Sequence, residues 1–144
     1  MIVGVGIDLC DIERMGEMID RHGPRFLDRC FTPGEQAECG NGLPMAKRYA
    51  ARFAAKEAVM KAFGLGWTNG MRFIDIEVKH NELGKPELIF HNYAGKYAKK
   101  LQVVNAQISL SHEKDIAAAF VVLESAQPCP QELQQPGSSD PGET

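Results

Sequence analysis

Four residues of types used in phosphate chemistry stand in three distant stretches of this chain: Asp8, Glu57 with Lys61, and His112. Asp8 and Glu57 are carboxylates from distant segments. Brought together, they offer hard oxygen ligands for Mg²⁺, which takes few carboxylates, several waters and substrate phosphates. Lys61, one helical turn beyond Glu57, would then reach a phosphate oxygen as a point charge. His112 would bind a phosphate or relay a proton. Each has a plainer alternative. Asp8 can cap a strand end. Glu57 and Lys61 can form an i, i+4 pair on a half-buried helix, worth a few tenths of a kcal/mol. His112 can be a hydrogen-bonded edge residue.

Glu57 and Lys61 share a segment rich in Ala, Lys, Glu and Met, the strongest helix formers. Gly64 closes it, as expected of a left-handed helix cap. The pattern predicts one helix over 44–63. Its wheel is unusual. Arg52 and Lys56, four apart, point into the arc of Tyr49, Val59, Met60 and Phe63. Cations placed there must find a charged partner or reach past the rings to water.

The rest of the chain must position that helix. Residues 2–7 are β-branched and glycine-spaced and predict a buried strand. Gly4 and Gly6 imply that something packs closely on it, and Asp8 is expected at its end. Asp11 reads as the N-cap of a helix over 12–21, stopped by Gly23 and Pro24, with a short helical turn over 25–30. Arg14, Met18, Arg21 and Arg25 fall on one stripe at helical spacing. That stripe is either a solvated basic face or a docking face for an acidic helix, with Met18 as its adaptable apolar contact. Thr32, Pro33 and Glu35 make a capping box for a short helix ending near Gly40. The glycine-rich loop over 64–70 follows a helix C-terminus, so it is not a phosphate loop of the nucleotide-hydrolase type. Residues 73–78 and 87–91 predict a hairpin turning at 81–86, followed by a helix from Asn92. Strands over 105–112 and 115–124 complete the pattern. In the first, Ile108, Leu110 and His112 share one face. The second is nearly all apolar and is expected to be central and buried.

The chain has 144 residues, 44% apolar and 24% charged, which suits one globular domain with one core. A net charge of −3 argues against a protein that coats nucleic acid. Four cysteines form no Cys-x-x-Cys pair, so neither a zinc knuckle nor a redox motif is expected. The N-terminus lacks the basic region of a signal peptide, and no stretch approaches a membrane span. The simplest compartment is the cytoplasm, with the cysteines reduced. Residues 126–144 hold half the chain's prolines and one large apolar side chain, Leu133. They are expected to form a disordered tail after a domain over 1–125.

Three blocks carry a family resemblance. They are Gly6-Ile-Asp8 with Asp11, Ile12 and Arg14; Arg52-Phe-Ala-Ala-Lys56-Glu57 with Lys61 and Gly64; and Ile108 to Ser111-His112. In order and spacing, with Gly84-Lys85-Pro86 in the hairpin turn, they resemble the bacterial holo-acyl-carrier-protein synthases. These are the short, single-unit 4′-phosphopantetheinyl transferases. The resemblance covers 1–124, and the tail departs from the family pattern. It implies an α+β fold, with a small antiparallel sheet packed on one long helix plus short helices, assembled as a homotrimer. It also implies transfer of the phosphopantetheine arm of coenzyme A to a serine of an apo carrier protein, releasing 3′,5′-ADP. Asp8 and Glu57 would hold Mg²⁺, and Lys61 would neutralise phosphate charge beside them. Arg52, Lys56, Lys61, Gly64, Gly84, Pro86 and His112 would line the coenzyme A site between neighbouring subunits. Arg14, Met18, Arg21 and Arg25 would meet the acidic helix of the carrier protein. Glu57, or a water on the metal, is the candidate base for the serine proton. A non-catalytic trimeric module binding coenzyme A or a nucleotide is the alternative. It would keep the cationic residues without needing the two carboxylates.

Overall fold

The first strand, β1 (Ile2–Asp11), carries glycine where its neighbour comes closest. A Cβ on Gly4 would lie 1.9 Å from the carbonyl oxygen of Ala62, and one on Gly6 would lie 1.8 Å from that of Ala58. The neighbour is the long central helix, whose alanines face the strand. The close packing expected at Gly4 and Gly6 is therefore backbone against backbone, a contact only glycine permits. The computed structural model describes residues 1–66 and 70–126. Most of the expected tail, 127–144, and part of the loop over 64–70 lie outside the described residues.

Helix α1 (Ile12–Cys30) begins at Asp11, whose side chain accepts from the Arg14 amide at 3.0 Å. It is broken at Gly23 (φ 53°, ψ −138°), just before Pro24. This is the expected pair of helical pieces. The break also corrects the basic stripe: Arg14, Met18 and Arg21 share one continuous helical face, whereas Arg25 lies past the kink. Helix α2 (Pro33–Cys39) has the full capping box between Thr32 and Glu35 and ends at Gly40. Helix α3 (Met45–Phe63) ends at Gly64 in the left-handed conformation (φ 74°), as its sequence predicts. After it come β2 (Ile76–His80), β3 (Pro86–Phe90), α4 (Asn92–Lys100), β4 (Val103–Glu113) and β5 (Ile116–Ser125).

The fold is α+β, but the strands form two sheets where one was expected. The larger is antiparallel with order β1-β5-β4, and the smaller is the β2-β3 hairpin. Three further points differ. Strand β1 runs past Asp8 to Asp11, paired with β5 along its length, so Asp8 sits inside a ladder rather than at its end. Residues 73–75 form a 3-10 turn, because the Asp75 carboxylate accepts from the Arg72 amide at 3.0 Å and closes it. The β5 strand is central, yet only its helix-facing side is buried. Ala117, Ala119, Val121 and Leu123 are covered by α3, while Ile116 and Phe120 are exposed. The outer face of β1 is likewise open at Val5, Ile7 and Leu9.

The core lies between α3 and the large sheet and extends to Val78, Ile76 and α4. A second apolar cluster joins Met15 and Ile19 of α1 to Phe31 and Tyr49. Between these two clusters, Lys56 of α3 is fully buried. Its ammonium donates to Glu35 Oε1 at 2.7 Å, to the Phe73 carbonyl at 2.9 Å and to the Ile76 carbonyl. An ammonium has three donors, and these contacts use them all. Glu35 is as fully buried, and it also accepts from the Thr32 and Val78 amides at 3.0 and 3.2 Å. Removing either partner strands a buried charge. Glu35→Ala and Lys56→Ala are each expected to lose about 3–5 kcal/mol in urea denaturation. A loss below about 1 kcal/mol in either variant would show that the pair does not support the fold.

Candidate functional site

Two groups of polar side chains stand at different places along α3. The first is built where β1 runs beneath the last turns of the helix. A helical side chain leans toward the N-terminus of its helix, so Lys61 reaches back over β1. Its ammonium donates to Asp8 Oδ1 at 2.9 Å and to the Ile7 carbonyl at 3.0 Å. Lys61 is 55% exposed and Asp8 23%, so this pair is open to a ligand. Cys10 lies two residues on, on the same face of β1 as Asp8. Burial, then the Asp8 and Asp11 carboxylates, and also that of Glu57, push its thiol up to about 11, with Arg14 opposing. Lys61 thus contacts Asp8, and Glu57 stands one turn before Lys61 on the same helix.

That donor set suits a hard divalent cation. It supplies carboxylate oxygens, and a cation, the Lys61 ammonium, already sits on one of them. Among the described residues no three His, Cys, Asp or Glu side chains are arranged to hold a metal. A cation held by Asp8 and Glu57 alone would keep open positions for water and phosphate oxygens, the arrangement Mg²⁺ prefers.

The second group lines a cleft of about 470 Å³ formed by Glu38, Lys47, Arg48, Ala51, Arg52, His80, Leu110, Ser111 and His112. Arg52 and His112 both line this cleft. Arg52 is almost buried. Its Nη2 donates to Glu38 Oε2 at 2.6 Å and lies 3.1 Å from His80 Nδ1, while Nη1 donates to the Arg48 carbonyl at 3.4 Å. The carboxylate also accepts from the His80 amide at 3.3 Å. Burial opposes ionisation of Glu38. The hydrogen bonds from Arg52 and His80 outweigh it and hold the carboxyl below its ordinary value. With Lys47, Arg48 and Arg52 against one carboxylate, the cleft is suited to a polyanion.

Other expected site residues fall as follows. Gly84 (φ 80°) sits at the tip of the β2–β3 hairpin, and Pro86 pairs across it with His80, beside the cleft. Gly64 caps the far end of α3, twelve residues from Arg52, or about 18 Å along a helix. Lys56 is a correction. It does not line a surface in this structure, because its ammonium is enclosed and fully used by Glu35 and two carbonyls. Arg14, Arg21 and Arg25 are exposed and Met18 is half-buried, and of these Arg14 and Met18 line a pocket with Leu9, Cys10, Met15, Phe26 and Phe53.

Lys47, Arg48, Glu38 and His80 were not foreseen. The basic pair had a signal, since Arg48 lies four residues before Arg52 on the same helix face. Glu38 and His80 had none, because only tertiary contact brings α2 and the hairpin to Arg52.

Known proteins share this arrangement of sequence and fold. The family model of the 4′-phosphopantetheinyl transferase superfamily matches residues 4–121. A holo-[acyl-carrier-protein] synthase of Solibacter usitatus is 46% identical over 125 residues, covering 87% of this chain and all of that protein. The crystal structure of the Neisseria meningitidis holo-[acyl-carrier-protein] synthase superposes with a TM-score of 0.79 at 34% identity, covering 87% of this chain and all of the other. The Bacillus anthracis synthase, solved in complex with coenzyme A (3′,5′-ADP), gives 0.72 at 38% identity, covering 88% and 99% of the two chains. With a family model spanning most of its length and relatives matched end to end, this chain belongs to the 4′-phosphopantetheinyl transferase superfamily.

Proposed function

We propose that this chain transfers the 4′-phosphopantetheine arm of coenzyme A to a serine of an apo acyl-carrier protein, releasing 3′,5′-ADP. The observation that carries this reading is the pairing of a carboxylate–lysine centre on β1 with a separate cation-lined cleft, in a chain of this family. In this reading residues 1–125 are the catalytic unit.

The reaction exchanges a phosphoanhydride bond for a phosphoester bond. The serine Oγ bonds to the phosphorus that carries the pantetheine arm, and the bridging P–O bond to 3′,5′-ADP breaks. Such a transfer needs positioning and charge stabilisation more than covalent help. Asp8 and Glu57 would hold Mg²⁺, which when bound neutralises and orients the diphosphate. Lys61 stands 2.9 Å from Asp8 and is exposed, so its ammonium can turn to a phosphate oxygen as charge moves to the leaving group. Glu57 is the proposed base for the serine proton. Lys47, Arg48, Arg52 and His112 receive the nucleotide phosphates in the cleft, with Gly84 and Pro86 at its hairpin rim and Gly64 beside Lys61. The exposed cations of α1, Arg14 and Arg21, with Arg25 beyond the kink, meet the acidic helix of the carrier protein around Met18.

The proposed assembly is a homotrimer, with coenzyme A lying between subunits. Two observations support it. Val5, Ile7, Leu9 and Phe120 leave an apolar sheet face open to water, each side chain 44–62% exposed. Patches of that kind mark interfaces. The two polar groups also stand apart along α3, so a neighbouring copy can bring the cleft of one subunit toward Asp8 of the next.

Three outcomes are expected. Asp8→Ala, Glu57→Ala and Lys61→Ala should stay folded and lower the rate of arm transfer about a hundredfold or more, the usual effect of removing one charge-stabilising group. The assay is the mass gain of apo carrier protein incubated with coenzyme A and Mg²⁺. Near-normal rates in any of the three would refute its role, and binding of coenzyme A without any mass gain would leave a non-catalytic binding module. Arg14→Glu should raise the KM for carrier protein about five- to tenfold and leave that for coenzyme A nearly unchanged, since rim charges act mainly on association. Equal changes for both substrates would show that Arg14 serves the fold. Light scattering at micromolar protein should give a trimer mass, and Ile7→Asp should break the trimer and abolish transfer together. A fully active monomer would exclude a site shared between subunits.

A further inference from the structure

Arg52 is the most enclosed cation of the cleft, and it is not free. Its fork is held by Glu38, a carboxylate that reaches in from α2 and remains 31% exposed. Its Nε is buried and, among the described residues, has no hydrogen-bond partner. A buried guanidinium with an unused donor, at the edge of a cleft with two further cations, has spare capacity for an anion. Glu38 occupies one side of the fork where a second anion could sit.

His80 makes this contact two-sided. Its Nδ1 lies 3.1 Å from Arg52 Nη2 and 3.3 Å from Glu38 Oε2. Arg52 only donates and the carboxylate only accepts. The two contacts therefore demand opposite states of one nitrogen. With a lone pair on Nδ1, the imidazole accepts from Arg52 and Glu38 belongs to Arg52 alone. With a proton on both ring nitrogens, Nδ1 donates to Glu38, and the Arg52 contact becomes one of cation against cation. That arrangement favours moving the carboxylate toward the imidazole and the guanidinium toward the cleft.

We propose that Glu38 is a positioning residue for coenzyme binding: it stands in for a phosphate on the Arg52 fork and passes to His80 when that ring takes up a proton. The inference rests on the reading of the cleft as the coenzyme A site. It adds a device that tunes affinity by proton uptake. The charged and titratable groups that face His80 are Glu38 from α2, Lys47, Arg48 and Arg52 from α3, and His112 from β4. On its own hairpin the next side chain, Lys79, pairs across the strand with Glu87. Three of them, Lys47, Arg48 and Arg52, are cations. A bound phosphate offsets those cations and, with Glu38, favours the protonated ring. Binding is therefore accompanied by proton uptake, and affinity falls as pH rises.

Calorimetry of 3′,5′-ADP binding to the full chain tests this, run between pH 6 and 8 in two buffers of different ionisation enthalpy. Wild type should take up part of a proton on binding. Its Kd should weaken with rising pH by up to about tenfold per unit, the limit for one linked proton. His80→Gln should bind with less proton uptake and a flatter pH profile. Glu38→Gln keeps an acceptor for Arg52 but removes the competing charge. It should tighten Kd about fivefold, what a unit charge about 4 Å away is worth in a water-like dielectric. Melting curves confirm that both variants are folded. Proton uptake in His80→Gln equal to that of wild type, or unchanged or weaker binding in Glu38→Gln, would overturn the inference while leaving the coenzyme site intact. Failure of wild type to bind 3′,5′-ADP at any pH would overturn both.

Discussion

The arrangement depends on one ammonium buried where four segments meet. Lys56 joins α3 to the capping box of α2 through Glu35, to the 3-10 turn through the Phe73 carbonyl, and to the start of β2 through the Ile76 carbonyl. Burial pulls its pKa below the ordinary value, and the Glu35 carboxylate opposes that pull. Such a pair is not a cheap source of stability, because desolvating two charges offsets much of their attraction. Its effect is geometric. Every donor of the ammonium is used, so α2 and the hairpin have one placement relative to α3. That placement carries Glu38 and His80 to Arg52 and forms two walls of the cleft. Phe31 adds its ring face 5.5 Å from the same ammonium.

The other end of α3 is placed by the absence of side chains. Gly4 and Gly6 let the helix backbone touch β1, and the alanines that face them keep the seam thin. A larger residue at either glycine would force the helix outward and lift Lys61 off Asp8. The two ends of one helix therefore use opposite means. A charge network anchors the middle of the helix, and a glycine–alanine seam anchors its last turns. Because α3 is continuous, the two polar groups keep a set separation.

Charge is distributed to match. The chain is acidic overall, yet Lys47, Arg48 and Arg52 line the cleft against one carboxylate, Glu38. An acidic protein with local basic faces can attract an anionic substrate and an acidic partner without general affinity for polyanions. The open apolar face on β1 and β5 lies on the other side of the sheet from α3, so an assembly could cover it without blocking the helix.

Much of this was legible in the chain. Helix α3, its Gly64 cap, the Asp11 cap, the Thr32–Glu35 capping box and the β2–β3 hairpin all follow from local rules of spacing, capping and turn chemistry. The need of Arg52 and Lys56 for charged partners was also readable, because cations in an apolar arc must be compensated. The identity of those partners was not. Glu35 and Glu38 look alike in sequence, both on a short exposed-looking helix, yet one is sealed in the core and the other opens on the cleft. Local pattern likewise could not show that the strands split into two sheets. Nor could it show that Asp8 lies within a ladder, since strand ends are set by the partner strand rather than by the residues themselves. Residue types and spacing determined the helices, the turns and the chemistry available. Tertiary packing decided which charges face one another, because pairing depends on distances between segments that are remote in the chain.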